Sequence, residues 1–197
     1  MAETRVIADR IFPGEGVAAD VVRIAAANIL LVLCAHIAIP LPWTPVPITG
    51  QTFGVLLVAI LLGARRAAVA VVMYLLEGMA GLPVFATVGA PGPARFFGPT
   101  AGYLMAYPPA AFVTGCLAEY SERISFLPLG TLRRAGALLA GELIIFVGGC
   151  GWLAAGMRYG WGQAIRMGAW PFLPGEIIKA ALILAIVRGV ELARRPH

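Results

Sequence analysis

The sequence predicts an all-α integral membrane protein of six transmembrane helices, and three observations carry that expectation. Sixty per cent of the 197 residues are apolar and only 13% are charged, more apolar surface than a soluble domain of this size can bury. Apolar blocks recur near residues 21–41, 51–63, 67–82, 101–118, 135–157 and 171–190, separated by Gly, Pro and Arg. Arginines gather on alternate connections. With both ends cytoplasmic, the inner side holds Arg5, Arg10, Arg23, Arg65, Arg66, Arg123, Arg133, Arg134, Arg188, Arg194 and Arg195, against Arg95, Arg158 and Arg166 outside. That is a positive-inside bias.

Along the chain, residues 1–20 read as a cytoplasmic N-terminal segment, 21–190 as the six-helix membrane domain and 191–197 as a cytoplasmic tail. The first segment, MAETRVIADRIFPGEGVAAD, mixes acids with arginines and carries no signal-peptide pattern, so the first helix is expected to direct insertion itself. The second and third blocks, TFGVLLVAILLG and AAVAVVMYLLEGMAGL, are shorter than the roughly 20 residues that cross a bilayer. They are expected to form a hairpin whose Pro/Gly-rich outer loops dip into the bundle, where protein covers the backbone. Cys34, Cys116 and Cys150 have no paired or metal-type spacing and read as buried free thiols.

Composition excludes several functions. The net charge of +5 is explained by topology, and no basic patch interleaves with exposed aromatics, so a nucleic-acid role is not expected. The only lysine is followed by alanine, which rules out a phosphate-binding G-x-x-x-x-G-K-[ST] loop; any ATP-driven work falls to a partner. His36 and His197 form no H-E-x-x-H motif and there is no G-x-S-x-G elbow, which argues against an enzyme and against a metal or other cofactor. Binding or passage of a small molecule is what remains.

Three segments look built for binding. In IPLPWTPVPITGQTFG (39–54), Pro40, Pro42, Pro45 and Pro47 surround Trp43, and Thr49, Gln51 and Thr52 follow. Prolines fix φ and remove donors, so this segment is stiff, either as a pocket wall or as a plain connector. Gln51 and Thr52 suit the wall or a cap of the second helix. In GLPVFATVGAPGPARFFGPTAGYL (81–104), glycines alternate with Phe85, Phe96, Phe97 and Tyr103; glycine admits close approach of backbone to a ligand and rings supply flat apolar walls. Phe96 and Phe97 equally suit an interfacial belt. In the last block Lys179 follows Glu176 by three residues. Unpaired, each costs about 2.5–3.5 kcal/mol in hydrocarbon, and the i, i+3 spacing brings them to one face. They can pair with each other or converge on a ligand. Pro174-Gly175 marks a helix start that favours the acid. Glu77 and Glu142 are further intramembrane acids, which are functional candidates by default.

Taken together, IPLPWTPVPITGQTFGVLL, GLPVFA followed by GPTAGYL, and PGEIIKA resemble the BioY family, the biotin-binding S components of energy-coupling factor transporters. The order and spacing run through about 140 residues. The resemblance implies a multi-pass protein of the cell membrane that captures biotin from outside and docks on a transmembrane coupling subunit driven by two ATPase subunits. It also gives the acid and the lysine roles: Glu176 accepts from the ureido N–H groups and Lys179 donates to the ureido carbonyl. The family usually has aspartate at the acid position, so Glu176 is a departure that places the carboxylate about 1 Å farther out. Tyr103 and Thr100 become candidate polar contacts, and Thr87 is the only polar residue where the family often has asparagine. Arg95 is a candidate for the valerate carboxylate or an exposed loop arginine. The strict A-x-x-x-A spacing of S components that dock on a coupling subunit is missing among Ala25, Ala26 and Ala27. An S component for another vitamin or small heterocycle, a solitary biotin transporter, and, outside transport, a membrane enzyme or assembly scaffold are the alternatives.

Overall fold

The computed structural model describes residues 6–11, 14–123 and 127–193. Arg5, Arg194, Arg195 and residues 194–197 of the expected tail lie outside them. The elements, in order, are α1 (Ile7–Ile11), α2 (Val17–His36), a two-stranded hairpin of β1 (Ala38–Ile39) and β2 (Ile48–Thr49), α3 (Gln51–Leu62) and α4 (Ala64–Met79). A 3-10 turn (Gly92–Phe97) leads into α5 (Ala101–Arg123), α6 (Leu127–Ala155), α7 (Trp161–Gly168) and α8 (Leu173–Ala193). The strands pair antiparallel, Ala38 with Thr49 and Ile39 with Ile48.

Helix α3 is the axis of the bundle. Its apolar residues leave no polar face, and residues from Val55 to Ile60 are all buried, the behaviour of a helix enclosed by others. α1, α2, α4, α5, α6 and α8 all pack on it. Twelve residues extend only about 18 Å, so α3 reaches part way through a bilayer. Gly63 alone joins it to α4 with φ 77°, a conformation that glycine adopts without strain. The Glu119 carboxylate of α5 closes the turn by accepting the Ala64 N–H at 2.8 Å.

The other helices are two-faced. α4 turns Ala67, Ala70, Val71 and Tyr74 inward and exposes Val72, Met73 and Leu76, the 3.6-residue period of a helix on a core. α6 buries Leu138, Ile145 and Leu153 while Leu139, Leu143 and Val147 face out, and α8 buries Ile183 and Val187 beneath exposed Ile177, Ile178 and Leu182. Large apolar side chains on outward faces of successive helices form a surface suited to lipid. α5 and α6 approach closely because Gly102 of one lies on Gly148 of the other; small residues let helix backbones meet in this way.

Length and hydropathy single out fewer spans than the six expected. Among the described residues, Val17–His36 and Gly130–Ala155 are long and apolar enough to cross a membrane, and α7 with α8, bent by 49°, forms a third candidate. The thiols also differ from expectation: Cys34 and Cys150 are buried, but Cys116 is exposed on α5, because the inward stripe of that helix is occupied by Tyr107, Ala110, Ala111 and Thr114. Within the N-terminal segment a short helix, α1, forms, with Val6, Ile7 and Ala8 buried.

Candidate functional site

The β-hairpin, the segment following α4, the first turns of α3 and α5, and the start of α8 meet at one end of the bundle. Prolines stiffen the hairpin and leave fewer N–H groups in need of acceptors, while Thr44, buried at its tip, accepts from the Val46 N–H and donates to the Met167 carbonyl at 2.7 Å. This ties the hairpin to α7. Tyr103 does the same for α5, donating to the Gly168 carbonyl at 2.6 Å, and Trp152 of α6 donates to the Gly98 carbonyl at 2.9 Å.

Between these elements lies a cavity of about 40 Å³ whose walls include Val46, Pro47, Tyr107, Ile145, Phe146 and Phe172, with polar groups from Thr49, Gln51, Thr52, Arg95, Thr100, Tyr103 and Glu176. Six residues singled out in the sequence thus share one site: Gln51, Thr52, Arg95, Thr100, Tyr103 and Glu176. Lys179 adjoins them through hydrogen bonds. Its Nζ donates to Glu176 Oε1 at 2.7 Å, to the Thr49 carbonyl at 2.7 Å and to Thr52 Oγ1 at 2.9 Å, while the Thr52 hydroxyl donates to Glu176 Oε2 at 2.8 Å. All three ammonium protons are used. The pair is mostly enclosed, 16% and 9% exposed for the two side chains, so neither charge is left without a partner in an apolar setting. Glu176 lies in the first turn of α8, where the free backbone N–H groups favour an anion.

Gln51 donates to the Tyr74 hydroxyl at 2.5 Å, so it holds α3 to α4 from the cavity wall. Arg95 is 3% exposed, not an exposed loop residue. Its Nε donates to the Ala90 carbonyl and its Nη2 to those of Ala86 and Val88, and the guanidinium lies 5.7 Å from the centre of the Phe85 ring. Burial holds its pKa below the ordinary arginine value, with the Tyr74 and Tyr107 hydroxyls acting in the opposite direction. Nη1 makes no hydrogen bond among the described residues, which leaves it for a group in the cavity that Arg95 lines. Thr87, by contrast, is exposed and does not line the cavity.

Sequence reasoning missed Tyr107, Phe172 and the Thr49 carbonyl. Tyr107 stands four residues after Tyr103, and that spacing places the two on one helix face, a signal that was available. Phe172 and the carbonyl had none, since one sits in a break between helices and the other is backbone.

Fold and site together define a helical membrane protein with a polar-lined cavity enclosed at one end of its bundle. The chain belongs to the BioY family, whose model matches residues 5–195. The biotin transporter BioY of Rhizobium etli is 36% identical over 168 residues, 83% of this chain and 88% of the relative. That of Thermotoga maritima is 38% identical over 168 residues, 84% of this chain and 93% of the relative. The crystal structure of the S-component for biotin from an ECF-type ABC transporter has the same fold, with a TM-score of 0.76, 24% identity, and coverage of 91% of this chain and 93% of that one.

Proposed function

We propose that this chain is the substrate-binding component of a biotin uptake system. It is a multi-pass protein of the cell membrane, with a six-helix membrane domain at 21–190 and both termini cytoplasmic. It takes biotin from outside and delivers it inward together with a transmembrane coupling subunit and two ATPase subunits. It carries out no covalent chemistry and needs no cofactor.

The observation that carries this reading is the Lys179–Glu176–Thr52 network beside the cavity. A ureido ring presents two N–H donors and one carbonyl acceptor. Inserted between Lys179 and Glu176, it substitutes two charge-assisted hydrogen bonds for one, and neither ion loses its compensation. Thr49 and Thr52 keep the ammonium aimed at the site while the carboxylate is occupied by ligand. The apolar rings of Tyr107, Phe146 and Phe172 suit the thioether ring, and Arg95 Nη1 suits the valerate carboxylate.

A cavity of about 40 Å³ has space for only a few waters, whereas small-molecule pockets measure roughly 300–1,000 Å³. Binding therefore requires the hairpin, the 81–98 segment or α8 to move apart, and among the described residues a single hydrogen bond, from Lys179 to the Thr49 carbonyl, ties the hairpin to α8. Calorimetry on the purified protein tests the function directly. One biotin per chain is expected, undisplaced by equal riboflavin or thiamine; failure of biotin to bind overturns the reading. Uptake in cells lacking every coupling subunit separates a partnered component from a solitary transporter.

A further inference from the structure

Tyr74 of α4 stands behind the cavity wall, yet contacts lead from it to both charged ends of the site. The side chain is buried, 1% exposed, and its hydroxyl accepts from Gln51 Nε2 at 2.5 Å. Gln51 Oε1 in turn accepts from the Thr49 hydroxyl at 3.3 Å, and the same hydroxyl accepts from the Gln51 N–H at 3.3 Å. The Thr49 carbonyl takes a proton of Lys179 at 2.7 Å. A continuous line of hydrogen-bonded groups thus runs from α4 to the ammonium.

The ring of the same tyrosine serves the other end. Phe85 meets it edge to face, with centres 5.3 Å apart and planes at 84°, an arrangement that aromatic pairs favour. Gly78, one turn after Tyr74 on the same face of α4, leaves the space that the Phe85 ring fills: a Cβ at Gly78 would lie 2.0 Å from Phe85 Cζ. The Arg95 guanidinium lies 5.7 Å from the centre of the Phe85 ring, close enough for the ring to attract the cation. α4 therefore seats the ring against which Arg95 rests, while its hydroxyl line ends at Lys179.

We propose that Tyr74 is a positioning residue that sets the spacing between Lys179 and Arg95, and so selects a ligand by the distance from its carbonyl acceptor to its anionic end. The inference rests on the reading of Lys179 and Arg95 as the contacts to those two groups. Hydroxyl and ring act on different ends, so their effects separate. Without the hydroxyl, the buried Nε2 of Gln51 loses its acceptor and must turn to another; Thr49 moves with it, and Lys179 loses its aim. Without the Phe85 ring, the guanidinium loses the surface it rests on, while the line to Lys179 stays intact.

Tyr74→Phe and Phe85→Leu test the two ends, each titrated with biotin and with biotin methyl ester, which keeps the ureido ring and lacks the anion. Y74F is expected to weaken both ligands equally, by at least about fivefold. F85L is expected to weaken biotin by at least about fivefold and the ester by less than about twofold. No loss in Y74F, or an F85L loss shared by both ligands, overturns the proposal. A second measurement needs no ligand. The chain has one lysine, so protein grown on isotope-labelled lysine gives one side-chain ammonium signal by NMR. Y74F is expected to shift that signal and F85L to leave it in place, whereas general loosening of the fold moves it in both; an unmoved signal in Y74F overturns the proposal. Should F85L fail to fold, the two Y74F affinities and the lysine signal still decide. If biotin does not bind the wild type the transport reading fails, while the lysine signal still decides whether Tyr74 positions Lys179.

Discussion

At one end of the bundle Lys179 faces a single carboxylate and two neutral oxygens; at the other, Arg23 and Arg66 share Asp9 and Asp20 in a closed ring of four charges. Arg23 Nη1 lies 3.2 Å from Asp9 and 2.9 Å from Asp20, and Arg66 lies 2.8 Å and 2.9 Å from the same two acids. Arg23 also donates to the Gly14 carbonyl at 2.8 Å. In the ring every charge has at least two opposite partners, and together they fasten α1 and Gly14 to α2 and α4. A small ligand has nothing to offer such a ring, since each opened contact costs a charge its second partner. The Lys179–Glu176 pair has one contact between ions and a cavity alongside, so a ligand with a donor and an acceptor can enter it. Ion pairs of similar length thus serve different ends according to how many partners each ion has.

Removing the lysine breaks the comparison most severely. Lys179→Ala is expected to weaken biotin binding more than about tenfold, roughly 1.4 kcal/mol or more, because Glu176 loses its cation and the ligand loses a donor. The chain should still fold, since Thr52 continues to donate to Glu176. Calorimetry reports the first and a thermal melt in detergent the second; unchanged affinity removes Lys179 from the site. Arg23→Ala probes the opposite end. It leaves Asp9 and Asp20 to share Arg66, and stability is expected to fall by about 3 kcal/mol with biotin affinity held within about twofold. If affinity falls with stability, the two ends are coupled and the contrast between them is not one of independent devices.

How much of this was legible depended on whether the signal lay in one residue or in a meeting of several. Glu176 and Lys179 could be read because a charge in an apolar stretch is costly wherever the chain goes, and Pro174-Gly175 gave the helix start in front of them. The shortness of the α3 block was equally readable, although its place at the centre of the bundle was not. Arg95 stayed open between ligand contact and exposed loop residue because its burial depends on tertiary packing: Phe85 lies against Gly78 of α4 and brings the loop carbonyls around the guanidinium. The acids and arginines of the first 20 residues read only as a cytoplasmic N-terminal segment without a signal-peptide pattern for the same reason. Asp9 meets Arg66 only after α4 has turned back at Gly63. The Thr49 carbonyl, a direct partner of Lys179, belongs to backbone and leaves no trace in side-chain identity.

The smallest effect is expected where resemblance and geometry point in different directions. Thr87 was a candidate because the family often has a polar side chain at that place, yet here it is exposed and outside the cavity. Thr100, thirteen residues on, lines the cavity beside Tyr103. Thr87→Val is therefore expected to change biotin affinity by less than about twofold, whereas Thr100→Val, which removes a hydroxyl at constant shape, costs about 1 kcal/mol, or roughly fivefold. Titrating the two variants side by side controls for the shared chemistry of the substitution. A larger loss at Thr87 would mean that the 81–98 segment turns inward as the cavity widens, with Thr87 carried into the site that Arg95 already lines.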